Sequence, residues 1–235
     1  HGYSVLNILI SLFLYLSGCI TFFIGSILLL LSGIISRKFM FKYIPKFCYI
    51  FMFSMGVIIK KKGVFPSGGP FVIMSNHGSF IDTFVVPPAL VGEYTAIVAA
   101  KNYKIPIFSN LLKALKAVPV HRGNKESAMQ SIKFAEEAIH SDGCHMIILP
   151  EGTRTLDGKL QQFKKGGFHM AVNTKTPILL VVHRGTHRYK PKNRWTLSPR
   201  KIDVIIGPVI DVSGYNKNNI NDLVDKTWDK MNQLV

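Results

Sequence analysis

A mixed α/β sheet flanked by helices, preceded by a separate apolar helical segment, is the fold class predicted for this chain. Three observations predict it. From residue 63 onward, short runs rich in Val and Ile alternate with helical stretches, a pattern that builds a sheet with helices packed on it. Before that point the chain is dominated by apolar residues, with no charged side chain across residues 5–36. Between the two parts lies a turn-rich linker containing Gly63, Pro66, Gly68, Gly69 and Pro70. Residues 1–62 are thus expected to form anchoring helices and residues 63–235 an α/β domain.

The apolar run comes first. It exceeds the roughly 20 residues needed to cross a bilayer, and its length points away from a cleaved signal peptide. A straight helix over 5–36 would measure roughly 48 Å, against a hydrocarbon core of about 30 Å. The helix must therefore tilt, kink near Gly18, Gly25 or Gly33, or fold back within one leaflet. Arg37, Lys38, Lys42 and Lys46 follow, then a second apolar stretch over 47–59, then Lys60, Lys61 and Lys62. The positive-inside tendency puts both basic clusters, and with them the α/β domain, on the cytoplasmic side of a membrane. The second stretch is short and has the same side at both ends. It reads as an interfacial or partly re-entrant helix, with an ordinary core helix of the domain as the alternative. Beyond the linker, segments 71–75, 95–99, 146–149, 178–183 and 202–206 read as strands. Segments 105–117, 125–141, 166–173 and 220–234 read as helices.

The net charge of +16 calls for an anionic partner: nucleic acid, anionic lipid or a phosphorylated substrate. The apolar N-terminal part and the lack of interleaved aromatic and basic signals argue against nucleic acid. The three cysteines, Cys19, Cys48 and Cys144, are an odd number in apolar surroundings. That excludes a disulfide framework and fits a reducing compartment, and Cys144 reads as a small buried hydrophobe.

Two strings carry chemistry. Asn76-His77-Gly78-Ser79-Phe80-Ile81-Asp82 directly follows the first strand. On one continuous helix, side chains five apart would point about 140° from each other. His77 and Asp82 meet only if His77 sits in the turn and Asp82 in the first helical turn, with Gly78 permitting that turn. A carboxylate facing an imidazole fixes its tautomer and raises its basicity, as a general base for an alcohol requires. The spacing alone favours a capping Asp beside an incidental His. Leu149-Pro150-Glu151-Gly152-Thr153-Arg154-Thr155 lies at the end of the strand read over 146–149, where open α/β sheets bind ligands. Arg154 there can grip a phosphate, or form a surface salt bridge. Lys101, just after the second strand, and Arg122, in Val118-Pro119-Val120-His121-Arg122-Gly123, are further cations. A G-x-S-x-G elbow, a P-loop and an H-E-x-x-H site are missing. His183 and His187, separated by Gly185, read as two unrelated histidines rather than metal ligands.

In their order and spacing these blocks resemble the 1-acylglycerol-3-phosphate acyltransferases and related glycerolipid acyltransferases, over about three fifths of the chain. The resemblance implies His77 as catalytic base and Asp82 as the group that orients it. It implies that Lys101, Arg122, Glu151, Gly152, Thr153 and Arg154 bind the acceptor phosphate, and that Pro177, in Thr176-Pro177-Ile178, shapes the acyl or acceptor pocket. Two departures stand out: Lys116 and Pro119 replace the Gly and Phe usual in the second block, and Thr155 replaces a Ser while keeping the hydroxyl. The expected activity is transfer of a fatty acyl chain from acyl-CoA or acyl carrier protein to the sn-2 hydroxyl of lyso-phosphatidic acid, giving phosphatidic acid for phospholipid biosynthesis. No cofactor or metal is expected beyond that co-substrate. The partners would be membrane lipids, lyso-phosphatidic acid and the donor, with no nucleic acid. The alternatives are transfer to another acceptor (glycerol-3-phosphate or a lyso-lipid) and a non-catalytic basic membrane-binding protein, which would not need the His77–Asp82 pair. Removing the run before Ser36 is expected to reduce membrane retention yet spare some activity on detergent-dispersed acceptor.

Overall fold

The computed structural model describes residues 4–121, 123 and 125–235, with Lys125 described by its backbone alone. Arg122, one of the expected phosphate-binding cations, lies outside them.

The chain opens with two long helices, α1 (Val5–Ile35) and α2 (Arg37–Ser54). Ser36 separates them: its extended backbone breaks the helix, and its hydroxyl accepts the Phe39 N–H to cap α2. The helices pack antiparallel along a seam of small residues. Gly18 faces Met55, Gly25 faces Phe47 and Gly33 faces Met40. The three glycines are thus packing positions in an unbroken helix rather than kinks. The other side of α1 carries exposed Leu9, Phe13, Leu16, Ile20 and Phe23, and α1 is long and apolar enough to cross a membrane.

Strand β1 (Val57–Lys62) follows, which corrects the reading of 47–59 as one helix and of all of 1–62 as anchoring helices. The α-helix stops at Ser54, and Gly56, at φ +76°, turns the chain. Val57 and Ile59 then bury on one face of a strand whose other residues are exposed. The remaining elements are β2 (Val72–Met74), α3 (Asp82–Val85), β3 (Tyr94–Ala99), α4 (Phe108–Ala114), β4 (Val118–Val120), α5 (Lys125–Asp142) and β5 (His145–Ile148). After them come α6 (Gly166–Asn173), β6 (Ile178–Arg184), α7 (Thr186–Tyr189), β7 (Arg200–Ile210) and α8 (Ile220–Asn232). Helix 105–117 of the sequence reading is shortened to α4 at both ends, where Ile107 (φ 65°) and Lys116 (φ 52°) take non-helical backbone.

The seven strands form one sheet in the order β1-β7-β6-β2-β5-β3-β4. All neighbours are parallel except β6 and β7, so the sheet is mixed, as expected. One face packs on α1, α2 and α3 through Val57, Ile73, Leu179, Val181 and Ile202. The other packs on α5, α6 and α8 through Val72, Met74, Met146, Leu180 and Val182. Strand β6 is buried on both faces up to His183 and begins as the continuous apolar run Ile178–Val182, as a strand covered on both sides requires. Its C-terminal end, with those of β2 and β5, defines one edge where the loops converge.

Candidate active site

The loop after β2 carries His77, and α3 starts at Asp82, so the turn-then-helix geometry needed for contact is realised. His77 Nδ1 lies 2.7 Å from Asp82 Oδ2. The carboxylate also accepts the backbone N–H groups of Gly78 (2.9 Å) and Ser79 (3.0 Å). Asp82 is buried, and burial by itself pushes its carboxyl up. The neighbouring His183, the bond to His77 and the Ser79 N–H outweigh that and hold it below its ordinary value. An ionised Asp82 makes Nδ1 the protonated nitrogen of His77 and leaves Nε2 free to take a proton. Gly78 is required for close approach rather than for a left-handed turn: a Cβ there would lie 2.5 Å from Thr186 Oγ1 and 3.1 Å from His187 N.

Two supports of this pair were not legible in the sequence. The first is Glu151. Its Oε1 accepts the His77 N–H at 2.6 Å and its Oε2 accepts the Gln161 N–H at 2.9 Å, while the Thr155 N–H donates to the His77 carbonyl at 2.9 Å. The E-G-T-R loop thus clamps the His77 backbone from both sides. Glu151 is 5 % exposed; burial raises its carboxyl despite the bonds from Gln161 and His77. A buried carboxylate spent on backbone N–H groups does not bind a phosphate, which corrects the role expected for Glu151.

The second is His183, which its spacing from His187 leaves without a role. It is buried at the end of β6, with Nε2 donating to the Asn76 carbonyl (2.7 Å) and lying 3.4 Å from Asp82 Oδ1. The Thr186 hydroxyl sits 3.0 Å from its Nδ1. Asn76 ties the two strand ends together by exchanging bonds with the His183 backbone (2.9 and 3.0 Å). Asp82 therefore lies between two imidazoles.

His77 lines an apolar cavity of about 1050 Å³. Phe22, Phe51, Phe84 and Phe108 wall one end, with ring centroids 4.8–6.3 Å apart in neighbouring pairs, joining α1 and α2 to α3 and α4. Ile132, Ile148 and Gly167 wall the other end. Lys101, Gly152, Arg154 and Lys164 also line it, so cations stand beside apolar wall within reach of one histidine. A Cβ on Gly152 would lie 2.9 Å from Lys164 Cε, so the glycine leaves room for that lysine. Lys164 belongs to Phe163-Lys164-Lys165-Gly166-Gly167, a stretch whose sequence adds positive charge near the E-G-T-R block but equally suits a solvated surface. Thr153 does not line this cavity; its carbonyl accepts from the Gln161 side chain. Pro177 is also misplaced in the sequence reading. It precedes β6, whose first residue pairs with Val72, so it sits at the opposite end of the strands from His77 and His183.

A His–Asp pair with a buried carboxylate, at the strand ends of a mixed sheet and opening on a cavity with an apolar wall and cations, defines a candidate acyl-transfer site. The chain belongs to the acyltransferase family: the family model described as Acyltransferase matches residues 56–184, as the motif blocks implied. A 1-acyl-sn-glycerol-3-phosphate acyltransferase of Cocos nucifera is 32% identical over 155 residues, covering 66% of this chain and 50% of its own. One from Haemophilus influenzae is 32% identical over 165 residues, covering 70% and 68%. The crystal structure of the 1-acyl-sn-glycerophosphate (LPA) acyltransferase PlsC from Thermotoga maritima matches with a TM-score of 0.76 and 26% identity, covering 96% of this chain and 95% of that one. The chain spans 50–62% of the length of the first curated relatives it matches.

Proposed function

We propose that this chain transfers a fatty acyl group from a thioester donor to the free hydroxyl of 1-acylglycerol-3-phosphate, with His77 as general base. The observation that carries the reading is the position of His77: held by Asp82, it faces a cavity whose wall suits an acyl chain and whose Lys101, Arg154 and Lys164 suit a phosphate. The relatives' names favour this acceptor. His77 Nε2 takes the proton of the hydroxyl as its oxygen attacks the thioester carbonyl. Asp82 stabilises the imidazolium that forms. The C–S bond breaks, an ester bond forms, and the departing thiolate takes up a proton. The acceptor is itself the nucleophile, so an acyl-enzyme has no role.

The α1–α2 hairpin contributes to the cavity wall through Tyr15, Gly18, Phe22 and Phe51. With the apolar side of α1 in the bilayer and the basic clusters of α2 and β1 at its cytoplasmic surface, an acyl tail would enter the cavity directly from the lipid. The test is to supply purified full chain with a panel of acceptors (1-acylglycerol-3-phosphate, glycerol-3-phosphate, lyso-phospholipids) and both donor types, reading products by mass. Phosphatidic acid should dominate. Preferential acylation of glycerol-3-phosphate or of a phosphate-free acceptor would overturn the assignment.

A further inference from the structure

His77 lines a second cavity as well, of about 880 Å³, with a different character. It lies over the β1-β7-β6 edge of the sheet and is closed by α7 and by loop residues near Gly158. Lys60, Arg184, Arg188, Arg200 and Lys201 line it. Strand register explains the crowding: Asp203 pairs with Lys60 on one side and with Arg184 on the other, and Lys201 is two residues away on the same strand face.

The carboxylates nearby are already engaged. Asp203 binds Lys62 at 2.7 Å, Asp157 holds Thr155 and the Lys159 N–H, and Glu151 holds His77 and Gln161. Among the described residues, none of the five cations forms an ion pair. Arg200 is depressed by burial and then by the charges of Arg188 and Arg194. A concave surface that gathers like charges in this way attracts an anion strongly.

We propose that this cleft holds the anionic handle of the acyl donor, the adenosine 3′,5′-bisphosphate end of coenzyme A, while the acyl chain lies in the apolar cavity. The proposal rests on the acyl-transfer reading. A thioester at His77 must send its carrier one way and its chain another, and the two cavities that meet there differ accordingly. The apolar cavity has its own cations for the acceptor phosphate, which leaves the second set for the donor. A recess of this volume is of small-ligand size, in the usual range of about 300–1,000 Å³. A carrier protein would instead need a surface of roughly 800 Å² per partner.

The test uses full-length protein in detergent micelles and two measurements. Calorimetric titration with adenosine 3′,5′-bisphosphate should show saturable binding that weakens with added salt. Arg188→Ala combined with Lys201→Ala removes two exposed side chains without touching the core. That variant should weaken binding about tenfold or more, the worth of one charge-assisted contact. It should raise the KM for acyl-CoA similarly while the KM for the lyso-lipid stays put. Lys217→Ala combined with Lys230→Ala, which removes the same charge elsewhere, should change neither. Absence of nucleotide binding in the parent chain would overturn the proposal. So would a variant that raises the acceptor KM alone, or one that impairs only a carrier-protein donor. Nucleotide binding without transfer to any acceptor would uphold the cleft and sink the acyl-transfer reading instead.

Discussion

Asp82 receives the His77 imidazole, two backbone N–H groups and the edge of His183 within one buried carboxylate. Asp82→Asn keeps the shape, but it presents an amide that cannot accept from all of them. Turnover should fall by about 10² or more, measured beside a circular-dichroism spectrum that shows the fold intact. The same group sets an acid limit. Its folded pKa is held below the unfolded value, so its stabilisation is fully present above about pH 4, the ordinary carboxyl range. That stabilisation is lost as pH falls through the folded pKa. The stability gap between parent and Asp82→Asn should therefore close on acidification; a gap independent of pH would show that the charge contributes nothing. Glu151 has the opposite sign, because burial raises its carboxyl, so its ionised form costs stability at neutral pH. Glu151→Gln relieves that cost but aims an amide donor at the His77 or Gln161 N–H. The loss of a charge-assisted bond, about 1.5–3 kcal/mol, should lower the unfolding midpoint and turnover together. If turnover were unchanged, the clamp on His77 would be dispensable. The His77–Asp82 pair was legible through the resemblance that the ordered motif blocks carry, since the spacing alone also suits a capping Asp and only limits how the two could meet. Glu151 was not, since an acid beside an Arg in a motif reads as part of an anion site until its backbone partners are seen. His183 was not, because its partner lies far along the chain.

At the scale of elements, the apolar helix, the strands of the parallel part and α5, α6 and α8 were readable from Val/Ile runs and helical spacing. Strand β1 was not. Its three lysines read as the flank of a membrane helix, and its pairing partner β7 lies at the other end of the sequence. Pro177 is assigned to the pocket by motif alone, whereas the register sets it at the opposite end of the strands from His77. The glycine seam gives a direct test of the helical hairpin. The Phe47 ring occupies the place of a Gly25 side chain, so Gly25→Leu must separate α1 from α2. Overpacking costs about 1–3 kcal/mol, and each kcal/mol moves the melting midpoint by about 2–4 °C in a chain of this size. A midpoint unchanged in detergent would mean that the hairpin opens freely.

For the whole molecule, the hairpin is part of the site and not only a tether. The Tyr15 hydroxyl donates to the Trp195 carbonyl at 2.6 Å, the Leu197 N–H donates to Ser11 Oγ at 3.0 Å, and Phe22 walls the apolar cavity. These contacts argue against the expectation that loss of the run before Ser36 spares some activity in detergent: a chain beginning at Ser36 should lose most turnover even on dispersed acceptor, because its cavity is open to water. Full activity of that truncation would reduce α1 to an anchor. The most direct measurement of the central claim is a single-turnover assay of acyl transfer from a labelled thioester to 1-acylglycerol-3-phosphate, comparing the parent chain with His77→Ala. With His77 as the base, the parent forms labelled phosphatidic acid and the folded variant forms it roughly 10²–10⁴ times more slowly. Labelled product at a near-parental rate from folded His77→Ala would contradict it.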